Sequence, residues 1–333
     1  MKPRRPRQPD RTPRPGSREE DAASQSLPGT SPWQYARARR PLTDEAEANR
    51  GHTRSPAPPR RQAPTAIGGQ EIARGDDASP AAASKPRIRN NELRLYGLNA
   101  CRAMFRHRPQ DLRKVYLTAS RMRDLRDVLA HCVQNRLGYR VVEEADLERL
   151  TESRHHEGVC FDTRPPQVPT LEQLLESTQG RPSLLIWLDG VSNPHNLGAV
   201  LRSAAHFGVD AVLLPPDSTL ALSGAACRVA EGGAEVVPVI RISDPAEALA
   251  AILSAGFTVA ATHPHQGESI FALRMPERLL LVFGAERTGV GGGMLAASTM
   301  TVGIPGSGAV ESLNIAAAMA ICAAEWARWK VGA

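Results

Sequence analysis

Three short polar segments in this 333-residue sequence contain residue types that can hold a ligand, and each of them follows an apolar run. In α/β proteins such loops leave the carboxyl ends of strands, where ligands gather. A glycine-rich loop that enters a helix also presents unpaired backbone N–H groups. The three segments are residues 193–202, 281–290 and 304–315.

The first two segments supply side chains that are suited to catalysis. Asn196 and Arg202 lie six residues apart, just under two helical turns, and we expect them to approach the same side of a helix near its start. Glu286 follows a strand that ends at Gly284, so it can bind a ligand amine or hold a basic partner. Taken singly, these residues fit a surface arginine and a turn carboxylate that caps backbone donors equally well.

The third segment is rich in glycine, and it joins a predicted strand that ends at Ile304 to a long Ala-rich helix. Its glycines allow close approach by a ligand. Ser312 or Asn314 can cap the helix that follows. On its own, this pattern is typical of an ordinary strand–turn–helix connection.

The spacing of other residues disfavours several kinds of site. No G-x-G-x-x-G follows a predicted strand and no G-x-x-x-x-G-K-[ST] occurs, which argues against Rossmann and P-loop nucleotide sites. The histidines match no compact metal motif, and the 5 cysteines are scattered without a C-x-x-C. No apolar run reaches the roughly 20 residues of a membrane span, and the N-terminus lacks the apolar stretch of a secretory signal. We therefore expect a cytoplasmic protein with no metal and no membrane partner.

Apolar periodicity predicts two α/β regions, joined by a proline-stiffened linker at residues 165–181. Residues 91–164 are predicted to form a small domain of short helices and strands. In residues 182–333, buried-type strands alternate with helices, which indicates a mostly parallel sheet wrapped by helices. Strands are predicted there at 184–189, 211–214, 235–240, 258–261, 279–283 and 301–304, and helices at 199–207, 246–255 and 313–330.

The charge of the chain is concentrated at its start. Residues 1–90 are rich in proline and arginine, with 18 Lys and Arg against 10 Asp and Glu, and they lack the apolar periodicity of a folded core. We predict a disordered basic tail that either attracts polyanions by counterion release or serves as a solubilising extension. The first half of the small domain is also Arg-rich, which suits phosphate contact or a solvated helix face.

Together the three segments form an ordered motif set, N-x-x-N-x-G-x-x-x-R, G-x-E-x-x-G and I-P-x-x-x-x-V-x-S-L-N. This set resembles the SpoU/TrmH family, the S-adenosylmethionine-dependent RNA ribose 2′-O-methyltransferases of the SPOUT superfamily. The likeness to the catalytic domain covers residues 183–330, and residues 93–162 resemble the small substrate-binding domain of the family.

The resemblance implies a deep C-terminal trefoil knot whose loops form the cofactor site. It also implies a homodimer in which Arg202 of one subunit serves the cofactor pocket of the other. S-adenosylmethionine contacts, largely through backbone groups, are implied for Gly284, Ile304 and Leu313. Catalytic or site-shaping roles are implied for Arg202, Asn196, Glu286, Ser312 and Asn314.

The implied reaction is methyl transfer to a ribose 2′-hydroxyl in tRNA or rRNA. Family proposals make Arg202 a general base, but an arginine is effectively always protonated, so it can instead stabilise the developing alkoxide or act with the adjacent phosphate. Two alternatives remain: an RNA-binding protein on the same scaffold without turnover, and a base methyltransferase of the same superfamily. Gly306 departs from the bulkier apolar residue of many relatives, and the Glu286-Arg287-Thr288 stretch departs from their small residues, so both can alter the pocket.

Overall fold

The computed structural model describes residues 92–285 and 288–331, so the predicted tail at 1–90 and Glu286 lie outside the described residues. The first described region holds a four-stranded sheet in the order β1-β4-β2-β3. β4 pairs antiparallel with β1 and β2, and β2 pairs parallel with β3. The elements are β1 (Leu93–Tyr96), α1 (Leu98–His107), β2 (Leu112–Leu117), α2 (Arg126–Gln134), β3 (Gly138–Val141), α3 (Glu144–Thr151) and β4 (Val159–Thr163).

The second region is a seven-stranded sheet in the order β7-β6-β5-β10-β8-β11-β9, and every strand pair in it is parallel. This confirms the predicted mostly parallel α/β fold. Its strands are β5 (Ser183–Leu188), β6 (Ala211–Leu214), β7 (Val239–Arg241), β8 (Thr258–Thr262), β9 (Glu268–Ser269), β10 (Arg278–Phe283) and β11 (Met300–Gly303). Its helices are α4 (Leu171–Ser177), α5 (Pro194–Phe207), α6 (Gly224–Ala230), α7 (Pro245–Ser254), α8 (Gly292–Ala297) and α9 (Ile315–Val331).

The central strands β5 and β10 are apolar because helices cover both faces of the sheet. β5 is buried along its whole length, as a strand with two covered faces should be. α5 follows β5 and begins where the side chain of Asn193 accepts a hydrogen bond from the His195 amide, with Pro194 at the first helical position. α5 ends at Gly208 in the left-handed conformation. Because α5 begins just after the carboxyl end of β5, the polar first motif lies at the carboxyl edge of the sheet.

Two sequence predictions for this sheet need correction. The helix predicted from residue 199 begins at Pro194, because the Asn193 cap and the proline start it five residues earlier. The strand predicted at 235–240 is mostly absent: residues Gly233–Glu235 form a short 3-10 helix, and β7 spans only Val239–Arg241. Val236, which follows this helix, still has a helical backbone conformation (φ −107°, ψ −40°), so an extended strand begins only at Val239.

The two sheets share one apolar core, which runs from α1 and β4 through α5 and α6 to α9. At this junction Arg108 donates to both carboxylate oxygens of Glu235, at 2.6 and 3.0 Å. α6 approaches β1 so closely that a Cβ on Gly224 would lie 2.4 Å from the carbonyl oxygen of Arg94. Among the helices of the described residues, none has the length and apolar character needed to cross a membrane.

Candidate active site

The first and third motifs meet at the carboxyl edge of the seven-stranded sheet. Asn314 donates from Nδ2 to Oδ1 of Asn196 at 3.1 Å, which joins the start of α9 to the start of α5. Its Oδ1 accepts from the Ala316 amide at 2.9 Å, so Asn314, rather than the alternative Ser312, caps α9. One amide side chain therefore both starts the last helix and fixes Asn196, and Ser312 lies exposed two residues before it.

Arg202 lies farther along α5 and has a different partner. Its Nη1 is 2.8 Å from Oε1 of Glu231, and the two side chains are 60% and 40% exposed. Glu231 ends α6 in the left-handed conformation, at φ 47°. Two side chains that are six residues apart on an α-helix differ in direction by about 240° around the helix axis. Asn196 and Arg202 therefore contact different neighbours, and they do not share one side of the helix as the spacing suggested. Both side chains nevertheless belong to the same helix.

The second motif forms a tight loop after β10. Ala285 and Gly289 exchange two backbone hydrogen bonds, of 3.1 and 2.8 Å. A Cβ on Gly284 would lie 2.0 Å from the carbonyl carbon of Gly289, so only glycine fits there. Asp189, at the end of β5, accepts from the Gly291 amide at 2.7 Å and ties this loop to the neighbouring strand. The loop backbone is thereby fixed on both sides of Glu286, itself outside the described residues.

The third motif is open by comparison. Ile304 is partly buried against the core, whereas Val310 and Leu313 are 70% and 44% exposed. A Cβ on Gly306 would meet no atom within 4 Å, so a bulkier side chain has room at the position where this sequence departs from the family. Exposed apolar side chains beside glycines leave backbone groups accessible to a ligand.

The donor set at this edge fits S-adenosylmethionine. Backbone groups of two glycine-rich loops, together with apolar Ile304 and Leu313, suit a nucleoside that carries an aliphatic sulfonium chain. Gly284, Ile304 and Leu313 belong to the ends of β10 and β11 and to the start of α9, and these elements are adjacent to β8 or packed on α5. Among residues 92–285 and 288–331, no three His, Cys, Asp or Glu side chains cluster as metal ligands.

Sequence reasoning missed two residues of this region. Glu231 was not recognised as a partner of Arg202, although the two glycines after it signal the end of a helix. Asp189 closes the predicted strand, and its contact with Gly291 spans 102 residues. A single sequence carries no direct signal for a contact of that range.

Comparison with known proteins supports the resemblance. The profile of the SpoU rRNA methylase family matches residues 183–324. A second profile, RNA 2′-O ribose methyltransferase substrate binding, matches residues 94–169. A solved TrmH-family protein from Porphyromonas gingivalis, described as a putative RNA methyltransferase, superposes with a TM-score of 0.57 at 25% identity, over 72% of this chain and 90% of that one.

Two sequence relatives extend over most of the described region. An uncharacterized tRNA/rRNA methyltransferase, YfiF of Escherichia coli O157:H7, is 38% identical over 242 residues, which are 73% of this chain and 70% of the relative. The 23S rRNA (guanosine-2′-O-)-methyltransferase RlmB of Pseudomonas putida is 32% identical over 239 residues, 71% of this chain and 96% of the relative. These matches confirm the predicted family and, with it, the class of RNA ribose methyltransferase with S-adenosylmethionine as methyl donor. The chain belongs to the SpoU family of RNA 2′-O-ribose methyltransferases.

Proposed function

We propose that this protein methylates a ribose 2′-hydroxyl of ribosomal RNA in the cytoplasm, with the three motifs forming one site. The observation that carries the proposal is the hydrogen bond from Asn314 to Asn196, which brings the first and third motifs together at the sheet edge. Ribosomal RNA is favoured over tRNA because the RlmB relative, which this chain covers almost completely, is named for 23S rRNA. The YfiF relative, named for both RNAs, keeps tRNA as the second candidate.

The cofactor assignment is part of this proposal. Gly284, Ile304 and Leu313 hold S-adenosylmethionine through backbone and apolar contacts, and Ser312 and Asn314 shape the loop around it. When bound, the cofactor supplies the methyl group together with its own leaving group. The protein therefore contributes mainly by holding the ribose hydroxyl in line, which is the positional component of catalysis. Asn196 and Glu286 belong to the first and second motifs, and both are proposed to lie at the catalytic centre.

Arg202 is assigned a role in the step in which the ribose hydroxyl loses its proton. A guanidinium is effectively always protonated, so it stabilises the developing alkoxide better than it removes a proton. A general-base role for Arg202 stays the competing hypothesis. Its exposed guanidinium is accessible to a second molecule, which supports a homodimer in which Arg202 serves the partner's site.

The dimer and the knot complete the proposal, together with its domain boundaries. The exposed Val310 and Leu313 beside α9 supply apolar surface that a partner subunit can cover. The C-terminal segment is proposed to pass through a loop of the chain and so form a trefoil knot. The packing of α9 against α5 supports this path. Residues 91–164 form the RNA-docking domain and 182–333 the catalytic domain. The linker at 165–181 joins them and contains α4, which packs on the seven-stranded sheet.

Methyl transfer from labelled S-adenosylmethionine tests the substrate. We expect label in ribosomal RNA transcripts and little in tRNA, and mapping of 2′-O-methyl sites in a deletion strain would identify the nucleotide. Label in tRNA alone would overturn the choice of ribosomal RNA. If calorimetry on the dimer showed no S-adenosylmethionine binding, the protein would be an RNA-binding scaffold without turnover.

A second assay addresses Arg202. Arg202→Ala should lower the rate of methyl transfer at least about 100-fold, as the loss of one oxyanion-stabilising donor does. Arg202→Lys, which keeps the positive charge, should restore part of the rate if the residue is an electrostatic stabiliser. Full turnover by a dimeric Arg202→Ala variant would remove Arg202 from the mechanism.

A further inference from the structure

A groove of about 560 Å³ lies between α1 of the four-stranded region and α5 of the seven-stranded region. Its volume falls within the range of small-ligand pockets, roughly 300–1,000 Å³. Arg202 lines it, which places the groove beside the residue assigned to catalysis.

Two consecutive glycines build the floor of the groove. A Cβ on Gly232, which has φ +100°, would lie 2.7 Å from the Cβ of Ala103 on α1. A Cβ on Gly233 would lie 2.4 Å from the carbonyl oxygen of Leu201 on α5. Both positions therefore require glycine, and the segment after α6 packs directly against both helices. The distance between α1 and α5 is set by this backbone contact, so the groove has a fixed width.

Basic and aromatic side chains line the groove from both helices. α1 contributes Arg106 and His107, and α5 contributes Arg202 and His206, all of them exposed. Phe207 lies beside His206, with ring centroids 4.8 Å apart. Guanidinium groups bind phosphates, and planar rings stack on unpaired bases, which is how proteins read single-stranded RNA. The combination fits one nucleotide of a single strand, with its phosphate and its base.

Glu231 is the acidic side chain that lines this groove. Its carboxylate is 2.8 Å from the Arg202 guanidinium and the pair is well exposed, so it contributes little to stability. An RNA phosphate can take the place of this carboxylate at modest cost. The carboxylate then holds Arg202 at the mouth of the groove while RNA is absent.

Arg106, His107 and His206 also have a simpler explanation. They lie in the last turns of α1 and α5, where a positive charge such as that of Arg106 complements the helix carbonyls by about 0.3–1 kcal/mol. That explanation does not extend to Arg202, which lies in the interior of α5, or to the paired glycines that hold the two helices at a fixed distance. It also predicts a different experimental result, because a helix-end cation acts on stability and not on RNA affinity.

We infer that this groove binds the RNA nucleotide next to the methylated ribose, with its phosphate on Arg106 and Arg202 and its base against His206 and Phe207. The inference rests on the proposed function and specifies where the substrate strand enters the site. It also assigns a task to the four-stranded region: through Arg106, α1 holds the strand while α5 presents Arg202.

Binding of a fluorescent single-stranded RNA oligonucleotide to the full chain, measured at several salt concentrations, tests the groove. Arg106→Gln should weaken binding roughly tenfold, as loss of a charged hydrogen bond does. It should also lower the slope of log affinity against log salt by about 1, the signature of one lost phosphate contact. Glu231→Gln should strengthen binding severalfold, because Arg202 then meets the phosphate without a competing carboxylate.

Arg274→Gln is the matched control, since Arg274 is an exposed cation between β9 and β10 that does not line the groove. Its salt slope should equal that of the wild type. If Arg106→Gln and Arg274→Gln both keep the wild-type affinity and slope, the groove does not bind RNA. A drop in melting temperature for Arg106→Gln with unchanged affinity would establish the helix-end role instead. Methyl transfer by the wild type is scored separately, so failure of the groove leaves the proposed activity standing.

Discussion

The junction between the two sheets and the loop edge of the seven-stranded sheet are built in opposite ways. At the junction, the Arg108 and Glu235 side chains are only 8% and 5% exposed, and their guanidinium and carboxylate groups meet face to face. At the loop edge, Val310 is 70% exposed and Gly306 borders open space. One region is filled by the chain itself, and the other leaves room for other molecules.

This difference follows from what each region has to do. A domain that docks RNA can present a ribose to a methyl donor only if its distance from the catalytic domain is fixed. A buried ion pair and glycine-mediated helix contacts at the junction provide that rigidity. The loops that are proposed to hold the cofactor must admit and release it, which fits packing that is incomplete until the cofactor and the proposed partner subunit are bound.

Breaking the ion pair at the junction should have the largest effect. Arg108→Ala leaves the Glu235 carboxylate buried without its partner, which costs about 3–5 kcal/mol of unfolding free energy. Urea unfolding would measure the loss. Arg121→Ala is the control, because its pair with Asp124 is 32% and 39% exposed and should contribute less than about 1 kcal/mol. Equal losses in the two variants would show that the junction is no more rigid than the surface.

Adding a methyl group to a glycine should distinguish the two regions directly. Gly224→Ala would place a Cβ 2.4 Å from the Arg94 carbonyl oxygen and 2.7 Å from the Tyr96 ring, an overpacking that costs about 1–3 kcal/mol. Gly306→Ala meets no atom within 4 Å and should leave the unfolding free energy within about 0.5 kcal/mol of wild type.

Gly224→Ala and Gly306→Ala should also differ in their effect on the KM for S-adenosylmethionine. Gly306→Ala is expected to change the KM for S-adenosylmethionine, because it adds a side chain to the proposed cofactor loop. Gly224→Ala should leave that KM unchanged wherever the protein is still folded. A Gly306→Ala variant as unstable as Gly224→Ala would contradict the open packing of the loop.

At the loop edge, Asn314 has two separable tasks. Asn314→Ala removes the cap of α9 and should cost about 1 kcal/mol of unfolding free energy. Asn314→Asp keeps an oxygen that can cap the helix but cannot donate to Asn196. We therefore expect Asn314→Asp to retain stability and lose S-adenosylmethionine affinity in calorimetry. If it bound the cofactor as well as wild type, the contact between the motifs would be structural only.

The sequence predicted those features that depend on local patterns. Continuous apolar runs predicted the parallel sheet, and the order of the motifs predicted the family. The resemblance predicted that Asn196 and Asn314 belong to one site. It did not predict their hydrogen bond, because 118 residues separate them in the sequence. The Arg202–Glu231 pair and the Arg108–Glu235 pair were missed, because each depends on how separate elements pack. The strand predicted at 235–240 was wrong over most of its length, because a short 3-10 helix and the helical backbone of Val236 occupy its first half.

The smallest effect is expected for the ionisation of a buried cysteine. The rates at which thiols are labelled also compare solvent access in the two regions. Burial raises the pKa of Cys227, on α6 at the junction, to about 12, with Glu235 adding to the shift. The thiol is therefore protonated in the folded state at pH 8, and a thiol reagent should label it only as fast as the protein unfolds. Val310→Cys, at an exposed position of the loop edge, should be labelled at once.

The same raised pKa fixes the direction of a pH effect. The folded protein favours the neutral thiol, so this contribution to stability is complete below the unfolded thiol pKa of about 8.5. It is lost as pH rises toward the folded value of about 12. Cys227→Ala has no thiol to ionise, and its unfolding free energy should fall less steeply than that of wild type between those limits. Rapid labelling of Cys227 in the folded protein, or identical slopes for the two proteins, would mean that water enters the junction as freely as it reaches the loop edge.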